Sequence, residues 1–485
     1  MFAAGFSMPL ARAFFVASLA CLAAQKICRR RQGTTADASP PARFDFASPF
    51  AGFLAYFALA VIVSGAAALA DSDPLLVPVK GFSKLNKLAW YAFIPLAVRH
   101  LRDARTAERA LKALVLGCLA TAVSVALLHP AIAWFQVTMP HPKLAADTLT
   151  FAQKILREIA EATGATHEIF IWIRKGGVHE RYLTFTNALS RLGTMPDAQR
   201  LMVALPAAAA LALAPRRRSA AALAPAEPRR AAAAIVAAIK PLIIPAVIFV
   251  GLALTLKRGP LALGFASTAL LLLFARRRGG MKSLAPSAAM IAAAAALVLS
   301  FPAARERFAQ LPEEFSVEKG GRAAMWLQVA PQLRREHPFG IGFRSLTSEK
   351  MRAIAPHIEE SRVHLHSVPV QSWVDFGWPG LAFWALWMSL AFRAAWKRAA
   401  SVCGGAARGE ACVPGNLALA AAPLAMLFTL VGYSFWEYNI ADGEVVLLYI
   451  ITMAFASAPL SSSEFAERDR SDSVCASAAK PRDVI

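Results

Sequence analysis

The stretch that decides the fold of this chain runs from Gly321 to Gly380 and reads GRAAMWLQVAPQLRREHPFGIGFRSLTSEKMRAIAPHIEESRVHLHSVPVQSWVDFGWPG. It is a polar segment between two strongly apolar parts of the chain, and it contains four of the nine histidines: His337, His357, His364 and His366. A connecting segment of this length is uncommon in a compact protein unless it carries function. We therefore expect the chemistry of the protein to lie here.

The sequence on both sides of this segment predicts membrane-spanning helices. Hydrophobic residues make up 57% of the 485 residues, and they form successive runs close to the roughly 20 residues that a helix needs to cross a bilayer. The runs predict an all-α polytopic membrane protein with about 11–12 transmembrane helices, together with one large external loop that folds into short helices.

The net charge of +21 does not indicate a nucleic-acid partner. The lysines and arginines fall in short clusters between the apolar runs, as expected for the cytoplasmic loops of a membrane protein. No basic stripe carries the interleaved aromatic residues of a nucleic-acid-binding surface. The six cysteines show neither metal-ligand spacing nor a disulfide framework. Membrane lipid is therefore an expected partner, and nucleic acid is not.

The alternation of apolar runs and basic clusters divides the chain into six parts. They are N-terminal transmembrane helices (1–128), an external or interfacial segment (129–200), central transmembrane helices (201–301), the large external loop (302–378), C-terminal transmembrane helices (379–460) and a disordered cytoplasmic tail (461–485). The cluster KICRRR after the first apolar run places the N-terminus outside. A cleaved signal peptide is the alternative for that run, although the basic residues of a signal peptide precede its apolar stretch and here they follow it. Whether the N-terminus lacks one further helix also stays open.

One basic pair departs from the pattern, because Lys257 and Arg258 fall on the external side, close to the membrane edge. An arginine there either extends its side chain to the interface or forms an anion site, since its guanidinium presents a fixed fork of donors that suits phosphate oxygens. The residues alone leave both interpretations open. By the same count of spans, Arg322, His364 and His366 share the external face with Arg258.

Four short motifs occur in order on this external face: TLKRG at Thr255–Gly259, RAAMW at Arg322–Trp326, HPFGIG at His337–Gly342 and HSVPVQSWVDFGWPG at His366–Gly380. Together they resemble the O-antigen ligase and polymerase superfamily, over roughly Ala233 to Trp384. The chain departs from the family pattern with Ser367 in place of asparagine, Asp375 in place of glutamate and Lys257 in place of serine. None of these differences removes a group that the chemistry requires.

The resemblance implies an integral membrane glycosyltransferase of lipopolysaccharide biosynthesis. Such enzymes lie in the bacterial inner membrane with the active site facing the periplasm. They transfer a glycan from polyprenyl (undecaprenyl) diphosphate to an acceptor hydroxyl, with inversion at the anomeric carbon and without a metal or another cofactor. Ligation of O-antigen to lipid A-core is the favoured interpretation for this chain.

The resemblance also implies roles for individual residues. Arg258 and Arg322 would bind the diphosphate and stabilise the charge that develops on it as it leaves. His366 would act as the general base for the acceptor hydroxyl, because a neutral imidazole accepts a proton near neutral pH. The remaining substrate-binding candidates are Gln371, Asp375 and His364.

Other functions stay open at this point. A polymerase or a protein O-oligosaccharyltransferase of the same superfamily would share the site and differ in its acceptor, which the sequence does not identify. A transporter would fit the number of apolar runs, but it should carry charges near mid-membrane in repeated halves, and we find no such repeat in the sequence.

A metal site is not expected. Asp71 and Asp73 stand at the exit of an apolar run, where a solvated turn is the favoured interpretation. A second group of metal-binding residue types matches no metal-ligand spacing, and it consists of His357, Glu359, Glu360, His364 and His366.

Reporter fusions test this topology. Fusions after Phe301 and within Thr347–Arg362 should report an external position, and fusions after Arg218 or Arg398 a cytoplasmic one, because basic clusters stay on the cytoplasmic side. A cytoplasmic position for Thr347–Arg362 would separate the loop from a lipid-linked donor and contradict the expected mechanism.

Overall fold

The computed structural model describes residues 48–70, 73–101, 104–128, 195–213, 240–255, 257–279, 305, 309–359, 362–406 and 414–458. Within these residues every regular element is helical, which confirms the predicted all-α fold. In chain order the helices are α1 (Pro49–Ala70), α2 (Pro78–Ser83), α3 (Asn86–Ala89), α4 (Ile94–His100), α5 (Ala104–Val123), α6 (Met195–Leu213), α7 (Ile243–Leu254), α8 (Arg258–Gly279), α9 (Leu311–Glu314), α10 (Arg322–Ala324), α11 (Ala330–Glu336), α12 (Ser348–Ile354), α13 (Val368–Ala406), α14 (Pro414–Ser434) and α15 (Gly443–Ser457).

Four of the described helices have the length and composition to cross a membrane. They are Pro49–Ala70, Thr106–Leu127, Arg258–Ala275 and Leu417–Ser434, and two shorter apolar helices accompany them at Ile243–Leu254 and Val445–Ser457. The chain is therefore a multi-pass membrane protein. Parts of the predicted transmembrane regions 1–128 and 201–301, most of the segment 129–200 and the tail 461–485 lie outside the described residues. The total of 11–12 spans therefore stays a prediction.

Residues 85–98, an apolar run within the predicted N-terminal transmembrane region, do not form one continuous helix. It consists of α3, a 3₁₀ turn at Trp90–Phe93 and α4. Pro95 stands at the start of α4, and because proline has no backbone N–H, it cannot continue the hydrogen-bond ladder of a preceding helix. The break is anchored by Tyr91, whose hydroxyl donates to the Ile440 carbonyl at 2.9 Å.

Helix α6 lies at the centre of the bundle, packed against α5, α7, α8 and α14. Every residue from Asp197 to Ala210 is buried, as expected for a helix that is alanine-rich and apolar around most of its circumference. The helix begins earlier than its apolar run indicates, at Met195. Its first turns carry Arg200 and Asp197 into the interior. The two side chains form an ion pair at 3.0 Å, and this pairing offsets the cost of burying each charge.

The contact between α1 and α13 is built around one tryptophan. Trp387 is fully buried, and its ring lies 5.5 Å from Phe53, 5.7 Å from Tyr56 and 4.9 Å from Tyr91. Gly52 allows the two helices to approach, since a Cβ there would lie 2.7 Å from the Trp387 Cα. Small residues at such positions let helix backbones come close in a membrane.

The large loop has a hydrophobic core of its own. Its helices α10, α11 and α12 surround a cluster of buried apolar side chains that includes Met325, Leu333, Met351 and Leu365. The loop is therefore a folded cap, as the short-helix prediction required, and its residues occupy fixed positions relative to the bundle.

The cap is attached to the end of α1 by polar contacts. The Lys350 ammonium lies 2.7 Å from Asp73 and 2.6 Å from Glu336, and the Phe343 N–H donates to the Ser64 hydroxyl at 2.9 Å. The expected turn at Asp73 is present, since the Leu76 N–H donates to the Asp73 carbonyl at 3.0 Å. Its carboxylate is not free in solvent, however, because Lys350 holds it in the interface between the cap and α1. Asp71 lies outside the described residues.

Helix α13 begins at Val368, before the apolar run predicted from Pro379, and it kinks at Gly377 (φ 73°). Because Pro379 has no N–H, the Asp375 carbonyl lacks its partner within the helix. The Gly342 N–H donates to this carbonyl at 3.0 Å, and the Ile341 N–H donates to the Val374 carbonyl at 3.2 Å. The GIG segment of the cap thus completes the hydrogen bonds that the kink removes.

Gly340 tests this junction. Its φ is +103°, and a Cβ would lie 2.3 Å from the Asp375 carbonyl oxygen, so Gly340→Ala should destabilise the protein by at least about 2 kcal/mol. The matched control is Gly65→Ala in α1, where the nearest side-chain atom lies 3.7 Å away. Thermal unfolding of both purified variants in detergent checks this. Equal melting temperatures would show that the junction tolerates displacement.

Candidate active site

Two arginines from separate parts of the chain converge on one carboxylate. Arg258 is the first residue of α8 and Arg322 is the first residue of α10. The Glu314 carboxylate accepts hydrogen bonds from both, one oxygen from Arg258 Nη2 and the other from Arg322 Nη1 at 2.9 Å. The two predicted anion-binding residues therefore share a site, and an anionic group of the protein occupies the position between them.

A second carboxylate connects this site to the predicted base. Glu437 Oε2 lies 3.9 Å from Arg322 Nη2, and Glu437 Oε1 lies 2.8 Å from His366 Nδ1. Three sequence-predicted catalytic residues, Arg258, Arg322 and His366, are thus joined through Glu314 and Glu437 in one continuous network.

The hydrogen bonds around His366 define which ring nitrogen faces which partner. Arg362 Nη1 lies 2.8 Å from His366 Nε2, and since a guanidinium only donates, Nε2 is the accepting nitrogen in this contact. Nδ1 faces Glu437 Oε1 at 2.8 Å and donates to it. The carboxylate therefore fixes the tautomer in which Nε2 is the basic nitrogen.

The backbone at His366 is held in an uncommon conformation. Its φ is +48°, a region that a non-glycine residue occupies only when the surroundings impose it. The preceding residue supplies that constraint, because the Leu365 N–H donates to Gln371 Oε1 at 2.8 Å and the Leu365 carbonyl accepts from Trp326 Nε1 at 2.7 Å. Trp326 lies in a π-helical turn at Met325–Val329, a feature often found at functional sites.

Gln371 and Asp375 lie behind the site. Each is only 1% exposed, and they are one helical turn apart on α13, with Gln371 Nε2 donating to Asp375 Oδ1 at 2.7 Å. Asp375 Oδ2 also accepts from the Arg344 N–H at 3.3 Å. Both side chains therefore bond to the protein interior in this conformation, and they position the Leu365–His366 segment.

His364 lies beside His366, with ring centroids 4.2 Å apart. Its Nδ1 accepts from the His366 N–H at 3.4 Å. Burial, together with the neighbouring His366, lowers the pKa of His364 to about 3. His364 is therefore neutral at physiological pH and packs against the candidate base.

Glu437 is ionised in this arrangement. Burial alone would raise the pKa of Glu437, but the hydrogen bond from His366 and the nearby charge of Arg322 hold it below its ordinary value. A buried carboxylate against the Nδ1 side of an imidazole stabilises the positive charge that forms when Nε2 takes up a proton. The pair is built to support general-base chemistry at Nε2.

Three charged residues of the site were not predicted from the sequence: Glu314, Glu437 and Arg362. Glu437 lies between the last two apolar helices, three residues after the end of α14, in the sequence FWEYN. A carboxylate among aromatic residues at a helix exit was an available signal. Glu314 and Arg362 stand among several charged residues of the cap, where sequence gives no reason to single them out.

Two groups of described residues have the ligand types and proximity that a metal ion requires. One is His364, His366 and Glu437, and the other is Asp73, Glu336 and His337. In the second group the Lys350 ammonium already lies between the two carboxylates. In the first, the atoms that face each other, His366 Nδ1 and Glu437 Oε1, are hydrogen-bonded at 2.8 Å.

A family comparison covers most of this site. Residues 243–385 match the family model described as O-antigen ligase, which confirms the resemblance of the sequence motifs to that superfamily of glycosyltransferase-like enzymes. The matched segment contains Arg258, Glu314, Arg322 and His366, whereas Glu437 lies beyond it. No curated protein matches the chain.

Glu314→Gln tests whether the arginines form an anion site. Removing the charge of the Glu314 carboxylate should increase the affinity for inorganic pyrophosphate by roughly tenfold. The reason is that pyrophosphate no longer competes with a carboxylate that bridges the two arginines. Isothermal titration of the purified protein measures this. Glu313→Gln is the matched control, since Glu313 pairs with Lys319 at the surface, and equal affinities in the two variants would contradict the site.

Proposed function

We propose that this protein transfers a glycan from a polyprenyl diphosphate carrier to an acceptor hydroxyl, as an O-antigen ligase acting on lipid A-core. The observation that carries the proposal is the convergence of Arg258 and Arg322 on a single anion, connected through Glu437 to His366. The reaction requires cationic groups to hold the leaving group and a base to activate the nucleophile. Here two guanidinium groups lie beside an oriented imidazole.

Donor binding exchanges one anion for another. The diphosphate would take the place of Glu314 between Arg258 and Arg322, each guanidinium forming the bidentate contacts that suit phosphate oxygens. Glu314 is suited to move, because its side chain is 38% exposed and the short helix that carries it has no buried residue. After this exchange the arginines stabilise the charge that develops on the diphosphate.

The acceptor hydroxyl would approach His366 Nε2. Arg362, which covers this nitrogen, has a side chain that is 35% exposed, so it can turn away without opening the core. Nε2 then takes the hydroxyl proton, and the ionised Glu437 stabilises the resulting imidazolium through Nδ1. Trp326 and Gln371 keep the imidazole in position by binding the backbone of the preceding residue, Leu365, at its carbonyl and its N–H.

In the transfer step the acceptor oxygen forms a bond to the anomeric carbon while the bond from that carbon to the phosphate oxygen breaks. The electron pair of the broken bond remains on the diphosphate, which is held by the arginines, and the hydroxyl proton resides on His366. Attack from the side opposite the leaving group inverts the anomeric configuration. The step uses no metal or other cofactor.

The position of Arg258 fits a lipid-linked donor. It begins α8, which has the length and composition to cross a membrane. In the proposed arrangement the anion site lies at the membrane edge, where a polyprenyl tail can stay in the bilayer while its diphosphate meets the protein. The distribution of basic clusters supports a periplasmic orientation in the bacterial inner membrane.

The second candidate is a polymerase or protein O-oligosaccharyltransferase of the same superfamily, which would use the same site with a different acceptor. A transporter is the less favoured alternative. Deletion of the gene followed by glycolipid analysis separates these functions. Loss of long-chain lipopolysaccharide with accumulation of polyprenyl-linked glycan would support ligation, whereas a cap of one repeat unit would indicate polymerisation.

His366→Ala should reduce transfer by about 10²–10⁴-fold, because the acceptor hydroxyl loses its general base, while donor binding persists. His364→Ala is the matched control and should have a mild effect. A membrane assay with the lipid-linked donor measures both, and a chelator should leave the rate unchanged. An inactive His364 variant beside an active His366 variant would overturn the assignment of the base.

The arginines should behave differently in the same assay. Arg258→Ala and Arg322→Ala should weaken donor binding, and lysine at either position should restore it only in part, because an ammonium group does not reproduce the bidentate fork. Full activity with lysine at both positions would show that charge alone suffices.

A further inference from the structure

Three aromatic side chains form a surface beside the site. The ring centroids of Phe315 and Trp436 are 5.7 Å apart, those of Phe315 and Trp326 are 6.2 Å apart, and those of Trp326 and Trp436 are 6.3 Å apart. Phe315 is 37% exposed and Trp436 is 39% exposed. We call Phe315, Trp326 and Trp436 the aromatic triad.

Each member of the aromatic triad adjoins a residue of the charge network. Phe315 follows Glu314, which bonds to both arginines. Trp436 precedes Glu437, which bonds to His366. Trp326 donates its Nε1–H to the carbonyl of Leu365, the residue before His366. The backbone positions that carry the triad are therefore adjacent to those that carry the anion site and the base.

We propose that the aromatic triad binds the pyranose ring that is attached directly to the diphosphate of the donor. This inference rests on the proposed function. The anomeric carbon is bonded to a phosphate oxygen and must also be within reach of the hydroxyl held at His366. The first sugar is therefore confined between Arg322 and His366, where Glu437 spans the gap and Trp436 is its neighbour in the chain.

The chemistry of the triad favours a sugar over the hydrocarbon tail. A pyranose has C–H faces that pack on aromatic rings and hydroxyl groups that need polar partners, so it requires both kinds of surface together. Here the residues that carry two of the rings, Phe315 and Trp436, are chain neighbours of the carboxylates Glu314 and Glu437. An isoprenoid tail needs a continuous apolar surface. Next to the triad such a surface is interrupted by the charged residues Glu314 and Glu437.

The test compares two ligands on the same purified, full-length protein. One is undecaprenyl diphosphate without sugar, and the other is the lipid-linked glycan extracted from cells that lack this protein. Trp436→Leu should bind the glycan-bearing lipid roughly tenfold more weakly, with unchanged affinity for the bare lipid. Trp436→Phe should retain most of the affinity, because an aromatic face remains. Trp378→Ala is the control, since Trp378 is 65% exposed and packs on Trp373 instead.

The outcomes separate this inference from the proposed function. Equal weakening of both lipids in Trp436→Leu would show that the triad holds the tail, and no weakening of either would show that it has no role in donor binding. Either result would overturn the sugar site. In the same experiment Arg258→Ala should weaken both lipids, and if it weakens neither, the diphosphate site itself fails.

Discussion

The pairing of cationic groups with two carboxylates is the interaction on which the rest of the site depends. Arg258, Arg322 and His366 come from distant parts of the chain, and guanidinium groups this close would repel one another without anions between them. Glu314 joins the two arginines, and Glu437 joins Arg322 to His366. The same pairs link the cap to the start of α8 and to the segment after α14. Separating them would leave charges unpaired near a low-dielectric bundle, which is costly, so the pairs hold the cap in place.

The same pairing explains how a stable resting site can also be reactive. Both groups that would contact substrate are covered, the arginines by Glu314 and His366 Nε2 by Arg362. The two covering side chains are 38% and 35% exposed, whereas the arginines and His366 are 14–20% exposed, so the covering groups can move more easily than the groups they cover. The proposed donor replaces one carboxylate with a diphosphate, so the arginines remain paired throughout and no uncompensated charge arises.

Sequence reasoning succeeded where local patterns determine structure. The apolar runs predicted α1, α8, α14 and α15 closely, and the family resemblance together with the count of spans predicted that Arg258, Arg322 and His366 would lie on one face, where the structure joins them in one network. It failed where the partner is distant: Glu437 stands 71 residues from His366 and Glu314 stands 56 residues from Arg258. Side-chain pairing over such separations depends on how helices pack, which a single sequence does not encode locally. Gln371 and Asp375 have the spacing of the family motif, but the face of α13 that carries them is turned inward.

A structure of the protein with undecaprenyl diphosphate bound would show whether the two arginines hold the leaving group. We expect phosphate oxygens within about 3 Å of the guanidinium groups of both Arg258 and Arg322, with Glu314 displaced from the position between them and Glu437 still bonded to His366. A diphosphate bound elsewhere, while Glu314 still bridges the two arginines, would contradict this expectation.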